Sequence, residues 1–440
     1  MTNSIPLISA AAVVFTFVLA GGVRADSWPQ WRGPRGAGQA EGTGYPLTWS
    51  ETENMAWKTI IPGRGWSSPV IHRGQVWLTT AMEIPCTPEQ AKERLKANTS
   101  DQPLTLLAEV RLHAIGLDAA TGKILHNVEL FREKDPQWVH RQNTFASPTP
   151  VIEDGRLYAH FGTFGTACVD TKSGTILWTN NTIRLMHENG PGSSPILWRD
   201  KLIFHADGSD TQRVVALDKA TGKVAWETPR TGAMPDNVQF KKSYATPLVI
   251  ERDHHPILLS NGADWLYGCD PATGRELWKR AYGMQGFSLS ALPVEAHGLV
   301  YYSTGFMKPE LHAMRCRPGG EPELVWTCQR NVPTIPSPLP AGSDLFFVAD
   351  SNICTSLNAL TGAENYRERL GGDFNASPVF ADGRIYVSNR EGTTFVLAAG
   401  PAFKKLAENK LPGQQWSSLA AADRAFFLRT DTALYRLQQQ

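Results

Sequence analysis

Short apolar runs, each set off by a polar turn, recur along most of the chain in a fixed order. Leu157-Tyr158 follows Asp154-Gly155-Arg156, and Ile385-Tyr386 follows Asp382-Gly383-Arg384. Asp-Gly supplies turn dihedrals, and the apolar or aromatic run behind it suits a short buried strand. Ahead of each turn stands a short Pro segment, Ser/Thr-Pro in all but one copy: Ser68-Pro69-Val70, Ser147-Pro148-Thr149, Ser194-Pro195-Ile196, Thr246-Pro247-Leu248, Leu292-Pro293-Val294, Ser337-Pro338-Leu339 and Ser377-Pro378-Val379. Ser418-Leu419-Ala420 repeats it without the proline. Behind the turn comes a second signature, Leu117-Asp118-Ala119-Ala120-Thr121-Gly122-Lys123, with copies at Asp170, Asp218, Asp270 and Asn358. A ring side chain stands at a constant offset after each: His126, Trp178, Trp226, Trp278 and Tyr366. Degenerate copies put Arg315, Ala398 and Tyr435 at the Asp position.

The two signatures predict one unit: inner strand, turn, second strand, third strand ending at Asp, tight hairpin, outer strand carrying the ring. Spacings of roughly 40–50 residues fit four short strands per unit, the blade of a β-propeller. Eight units predict an all-β, eight-bladed propeller. The last copy, Trp416 to Leu437, has three strands only. Asn54 to Thr59, with Trp57 as its ring, predicts the missing outer strand, so the N-terminal segment completes the last blade. The resulting layout is a signal peptide over 1–25, a Gly/Pro-rich leader over 26–50, and a single propeller over 51–440 with a helical insertion at 83–108. Within that insertion Thr87-Pro88-Glu89-Gln90 has the form of a capping box and predicts a short helix to about Ala97.

Composition narrows the function classes. Lys+Arg is 43 and Asp+Glu is 42, giving a net charge of +1, with no basic excess to hold nucleic acid. The apolar run Leu7 to Leu19 is too short to span a bilayer and precedes Val23-Arg24-Ala25, an export signal with its cleavage site. The chain is expected to be exported to the periplasm or beyond, with no transmembrane segment after signal removal. The first cysteine is Cys86, so no lipid anchor is expected at the cleavage point. Among the six cysteines there is no C-x-x-C, and Cys316 with Cys328 is the pair favoured for a disulfide because they flank a hairpin turn.

In a propeller, the loops that enter the inner strands ring the central channel on one face. Here they carry cations, amides and aromatics. The candidate ligand-binding residues are Trp66, Arg141, Asn143, His187, Lys242, Tyr244, Asn375 and Trp416. Rings stack on sugars or quinones, while Arg, Lys and Asn fix oxygens, so such a funnel suits a small polar ligand. No G-x-S-x-G, H-E-x-x-H or P-loop is present, and no catalytic or metal-binding residue is assigned.

The repeat resembles the tryptophan-docking repeat of the pyrroloquinoline quinone (PQQ) propeller superfamily, best over Ala216 to Trp226 and across the chain from about Trp28 to Leu437. The leader Trp28-Pro29-Gln30-Trp31-Arg32-Gly33-Pro34 is similar to one on secreted bacterial PQQ-binding-like propellers. The resemblance implies the fold. For activity it implies two outcomes: quinoprotein alcohol dehydrogenases with PQQ and Ca²⁺ in the funnel, or non-enzymatic scaffolds such as the propeller lipoprotein of outer-membrane β-barrel assembly. The dehydrogenases carry a vicinal Cys-Cys, which this chain lacks, and their Ca²⁺ ligands find no matching motif. The lipoprotein's lipidated cysteine is also missing. The expectation is an exported, monomeric, non-catalytic binding or scaffold propeller that takes a small polar ligand or a protein partner. A PQQ/Ca²⁺-dependent oxidoreductase and a carbohydrate-binding or carbohydrate-active propeller are the alternatives.

Overall fold

The computed structural model describes residues 27–96, 98, 102–283, 286–317 and 319–440; the predicted signal peptide lies outside them. Eight four-stranded antiparallel sheets form an eight-bladed β-propeller. Blade 1 comprises Val70–His72, Gln75–Pro85, Leu107–Asp118 and Ile124–Lys134. Blade 3 comprises Ile196–Trp198, Lys201–Asp207, Gln212–Asp218 and Val224–Pro229. Blade 8 takes three strands from the C-terminal end, Ala420–Ala422, Ala425–Arg429 and Ala433–Gln438, and its outer strand, Met55–Ile60, from the N-terminal side. Lys58 stands opposite Tyr435 and Trp57 opposite Arg436, so the ring closes through hydrogen bonds between the two ends of the chain. The helix of the insertion spans Pro88–Leu95, with Thr87 and Gln90 capping each other.

The core lies between blades. Tyr158, Cys168 and Trp178 of blade 2 pack against Leu202, Phe204, Val215 and Leu217 of blade 3. Each blade thereby hides a face that it cannot bury alone. The outer belt is set by the Asp turn. Oδ1 of Asp118 accepts the hydroxyl and the N–H of Thr121 at 2.7 and 2.8 Å, and the N–H of Gly122 closes the turn on the Asp118 carbonyl. The Thr121 hydroxyl and N–H hold that carboxyl below its ordinary value. The ring of the preceding blade then lies over the turn. Trp57 Nε1 donates to Ala119 O at 3.1 Å, Trp178 to Lys219 O at 3.1 Å, Trp226 to Pro271 O at 3.3 Å and Trp326 to Ala359 O at 3.0 Å. A Cβ on Gly222 would sit 2.4 Å from Trp178, and its φ is +71°, so glycine is required there twice over.

Strand pairing moves three of the repeat assignments. Each ring faces the residue two before the Asp position, as Trp226 faces Ala216 and Tyr366 faces Ser356. Trp57 faces Arg436, so the eighth Asp equivalent is Gln438 and not Tyr435. Blade 5 also has a ring, Trp326, opposite Ala313; a longer hairpin displaced it from the expected offset. In blade 2 the inner-strand signature is Thr149-Pro150-Val151, two residues beyond Ser147-Pro148-Thr149, because the strand begins at Val151. The six cysteines are unpaired thiols. Cys328 faces Leu311, which sets it well down the hairpin from Cys316 and excludes the expected pair.

The inner-strand hydroxyls form a second belt around the channel. Thr149 Oγ1 accepts from Ser68 N, Ser194 Oγ from Thr149 N, and Thr246 Oγ1 from Ser194 N, at 2.9–3.0 Å. The chain of bonds resumes as Leu292 N to Ser337 Oγ, Ser337 N to Ser377 Oγ, Ser377 N to Ser418 Oγ, and Ser418 N to Ser68 Oγ. Leu292, which has no hydroxyl, is the one break. The leader crosses the channel below this belt. Trp28 pairs with Ile71 of blade 1 and Pro29 O accepts from Ile152 N of blade 2. Arg32 reaches Pro338 O and Pro378 O of blades 6 and 7, and Gly38 and Ala40 pair around Phe380. Among the described residues no helix is long and apolar enough to cross a membrane.

Candidate functional site

The leader turns the central channel into a one-ended funnel. Its cavity measures about 690 Å³, with Trp31 and the hydroxyls of Ser68, Thr149, Ser194 and Ser418 among its lining and the inner-strand entry loops forming its walls. Trp31 Nε1 lies 3.5 Å from Ser418 Oγ, at the level of the hydroxyl belt. Six of the eight predicted residues line this cavity: Trp66, Asn143, Lys242, Tyr244, Asn375 and Trp416. Arg141 and His187 do not. Arg141 is exposed, with its carbonyl taken by Arg64 Nη2 at 2.7 Å. His187 is buried; its Nε2 accepts from Thr163 N at 3.1 Å and its Nδ1 has no partner. Burial lowers its pKa to about 3, so the ring stays neutral.

The lining residues differ in how free they are. The Trp66 and Trp416 rings stack on each other at 5.1 Å, with Arg64 over the first and Arg390 over the second. Their indole N–H groups donate to Gln142 O and Gln414 Oε1. These rings are engaged within the protein and form a rigid wall. Asn143 is likewise spent: its amide donates to Asn189 O and Pro191 O, and its oxygen accepts from Thr144 N and Ser147 Oγ. Tyr244 donates to His187 O at 2.8 Å, and burial raises its phenol well above the ordinary range. Asn375 lines the cavity with an amide that no described protein group engages. Lys242 is 1% exposed, its ammonium bonds Gln239 Oε1, and burial lowers its pKa to about 8.

Across from the tryptophans the wall is apolar. Phe240 and Phe287 lie 4.7 Å apart, and Phe306 meets Phe287 edge-on at 5.9 Å. Gly286–Phe287 pairs with Phe306–Met307 as a small flap at the mouth. Met307, a non-glycine at φ +74°, is 58% exposed, and Phe306 is 51% exposed. Sequence reasoning did not reach Phe306 and Met307, because they lie between the second and third strands of blade 5, outside both repeat signatures. The leader's Trp31 and Arg32 were legible only as unusual residues in a Gly/Pro-rich stretch.

Among the described residues the cavity lining contains no Asp or Glu. Among the described residues no group of three or more His, Cys, Asp or Glu side chains is placed to hold a metal ion. Two buried guanidiniums lie near the hydroxyl belt, outside the cavity lining. Arg32, 1% exposed, donates to Gly36 O, Ala37 O, Pro338 O and Pro378 O. Arg429, 3% exposed, donates to Ser67 O, Ser67 Oγ and Thr79 O. Neither meets a carboxylate, and burial lowers both to about 9.

Known proteins with this architecture place the chain. A curated relative, quinoprotein ethanol dehydrogenase of Pseudomonas putida, is 30% identical over 145 residues, which cover 30% of this chain and 22% of the relative. Tetrathionate hydrolase of Acidithiobacillus ferrooxidans is 22% identical over 289 residues, 56% of this chain and 54% of the relative. The match thus spans about a fifth of one curated relative and half of the other. The crystal structure of BamB from Moraxella catarrhalis superposes with a TM-score of 0.55 at 13% identity, covering 87% of this chain and 99% of that one, a likeness of fold. The family described as outer membrane protein assembly factor BamB matches residues 47–320 and 262–436, nearly the whole propeller. The chain therefore belongs to this family of PQQ-repeat β-propellers.

Proposed function

We propose that this protein is an exported, monomeric, non-catalytic binding propeller whose funnel takes a small polar ligand and whose mouth faces a protein partner. The observation that carries the reading is the makeup of the funnel among the described residues: hydroxyls, amides, one imidazole, one buried ammonium and apolar walls, without a carboxylate. Such a lining orients a ligand through hydrogen bonds; its one imidazole, His140, accepts from Gln142 N at Nδ1, and no described carboxylate stands beside it to complete an acid–base pair. The exposed Phe240, Phe306, Met307 and Ile335 around the mouth offer a partner the apolar surface that a closed propeller otherwise hides.

The names of the dehydrogenase relatives raise the quinoprotein alternative, and the funnel tests it. Ca²⁺ takes six to eight oxygens, with carboxylates prominent among them. Among the described residues the funnel offers amide and hydroxyl oxygens beside Lys242 and no Asp or Glu. The donor set does not fit a divalent cation, and no two cysteines are adjacent in the sequence. The deciding experiment loads the purified protein with PQQ and Ca²⁺, removes excess by gel filtration, and assays dye-linked oxidation of alcohols and sugars. The expected result is no retained quinone absorbance and no dye reduction. Ca²⁺-dependent turnover overturns the reading.

A further inference from the structure

The hydroxyl belt leaves a set of donors without acceptors. Each oxygen of Ser68, Thr149, Ser194 and Ser418 is occupied by a backbone N–H from the neighbouring blade, and none of the four donates to a protein group. A hydroxyl whose oxygen already accepts keeps its proton for another partner. All four are at most 4% exposed and all four line the cavity. Lys242 lines the same space, 1% exposed; among the described residues Gln239 is its only hydrogen-bond partner, and the Glu188 carboxylate acts on it without bonding it. Arg32 and Arg429 adjoin the belt: Arg32 bonds the carbonyls of Pro338 and Pro378, each one residue past a belt serine, and Arg429 bonds Ser67, one residue before Ser68. One buried cation, Lys242, and four hydroxyl donors thus face a lining whose described residues include no carboxylate. A buried charge without a close carboxylate partner is costly, and a low-dielectric cleft focuses its field inward.

We propose that the floor of the funnel is an anion site, with the hydroxyls of Ser68, Thr149, Ser194 and Ser418 as donors and Lys242 as counter-charge, and that its ligand is a small oxyanion, a sulfate-like ion or a carboxylate. This rests on the funnel being a ligand site, and it names the ligand's charge. The leader contributes Trp31, which lines the cavity at the level of the donors. Trp31, hydrogen-bonded to Ser418, reports from the floor.

The test follows tryptophan fluorescence of the full chain during titration with sodium sulfate and sodium acetate at fixed ionic strength. Dimethyl sulfone and acetamide serve as neutral isosteres. One or both anions are expected to give a saturable change with a Kd of about 1 mM or tighter, and the isosteres none. The change is expected to disappear in Trp31→Phe, and calorimetry on that variant is expected to retain binding. Lys242→Met and Thr149→Val are expected to weaken binding at least about tenfold, a difference of about 1.4 kcal/mol. Thr149→Ser, which keeps the hydroxyl, is expected to restore it. Sulfate without acetate selects the tetrahedral ion, and the converse selects the carboxylate. Equal response to anions and isosteres, or full affinity in Thr149→Val, overturns the anion site. Binding of neutral polar solutes that depends on Asn375, with no anion binding, overturns this inference and leaves the wider reading standing. Absence of any binding overturns both.

Discussion

The outer belt and the channel use the same hydroxyl residues in opposite ways. In the belt, Thr121 and Thr221 donate their hydroxyls to Asp118 and Asp218, so donor and acceptor satisfy each other within one turn. In the channel, Ser68 and its counterparts accept from a neighbouring blade's amide and keep their protons. The belt is closed chemistry, complete in four residues; it builds the ring and asks for nothing more. The channel is open chemistry, with hydroxyl donors that no described protein group accepts and a buried ammonium held by one amide. Blade 5 marks where the belt fails. Arg315 replaces the turn Asp, and the indole N–H of Trp278, which should reach that turn, is buried without a partner.

The largest effect that can break this contrast lies in the belt. Trp178→Ala removes a ring that is 9% exposed and packed over Gly222, together with the bond to Lys219 O. It is expected to cost about 3–5 kcal/mol, read as a shift in the denaturation midpoint. Loss of under about 1 kcal/mol would mean that the belt does not hold the blades together.

Next in size is the channel cation. The folded pKa of Lys242 is lowered from 10.5 to about 8 by burial. A lysine with a lowered folded pKa destabilises the fold while it is charged. Between pH 8 and 10.5 the unfolded chain binds more protons than the folded one, so stability rises with pH through this window. Lys242→Met is expected to be more stable than the parent at pH 7, and the gap is expected to close as pH passes through that window. Melting curves of both proteins across it decide the matter. Glu188 offsets part of the burial cost, and a parallel pH dependence in the two would mean that it offsets all of it, which would remove the sharpest feature of the channel.

A smaller pair of substitutions compares regular and irregular blades directly. Trp178→Phe and Trp278→Phe remove similar surface, but only the first removes a hydrogen bond; the second removes an orphaned N–H. Trp178→Phe is expected to be about 1 kcal/mol worse than Trp278→Phe. Equal losses would show that the indole bond adds nothing to packing.

The same contrast explains what was legible in the sequence. Belt turns are local: Asp, Thr and Gly at fixed offsets specify their own hydrogen bonds, so Asp118, Asp218 and Asn358 announce the blades without further context. Closure by Trp57 was legible because the repeat count left one strand over. The register of Tyr435 slipped because the last blade has no turn residues to anchor it, and Trp326 was passed over because a longer hairpin moved it. Funnel residues were found by position, since entry loops must ring the axis. Their roles were not, because roles depend on partners far away in sequence. Asn143 is consumed by Asn189 and Pro191, and Trp66 by Trp416 and Arg64. No local pattern announces that a hydroxyl has spent its oxygen and kept its proton.

The smallest effect concerns what the belt needs from its carboxylates. The hydroxyl and N–H of Thr221 hold the Asp218 carboxyl below its ordinary value of 3.8. A depressed carboxyl contributes stability above its ordinary value and loses it as pH falls through the lowered one, so this contribution fades only in strong acid. Asn358 makes the same turn in blade 6, accepting from Leu360 N, Thr361 N and Thr361 Oγ1 without a charge. The geometry of the acceptor, and not its charge, then sets the turn. Asp218→Asn is expected to stay within about 0.5 kcal/mol of the parent at pH 7 and to flatten the acid limb of the stability curve. Asp218→Ala, which removes the acceptor, is expected to cost about 1 kcal/mol. If Asn proves as damaging as Ala, charge carries the turn, and the belt ceases to be the self-satisfied half of the comparison.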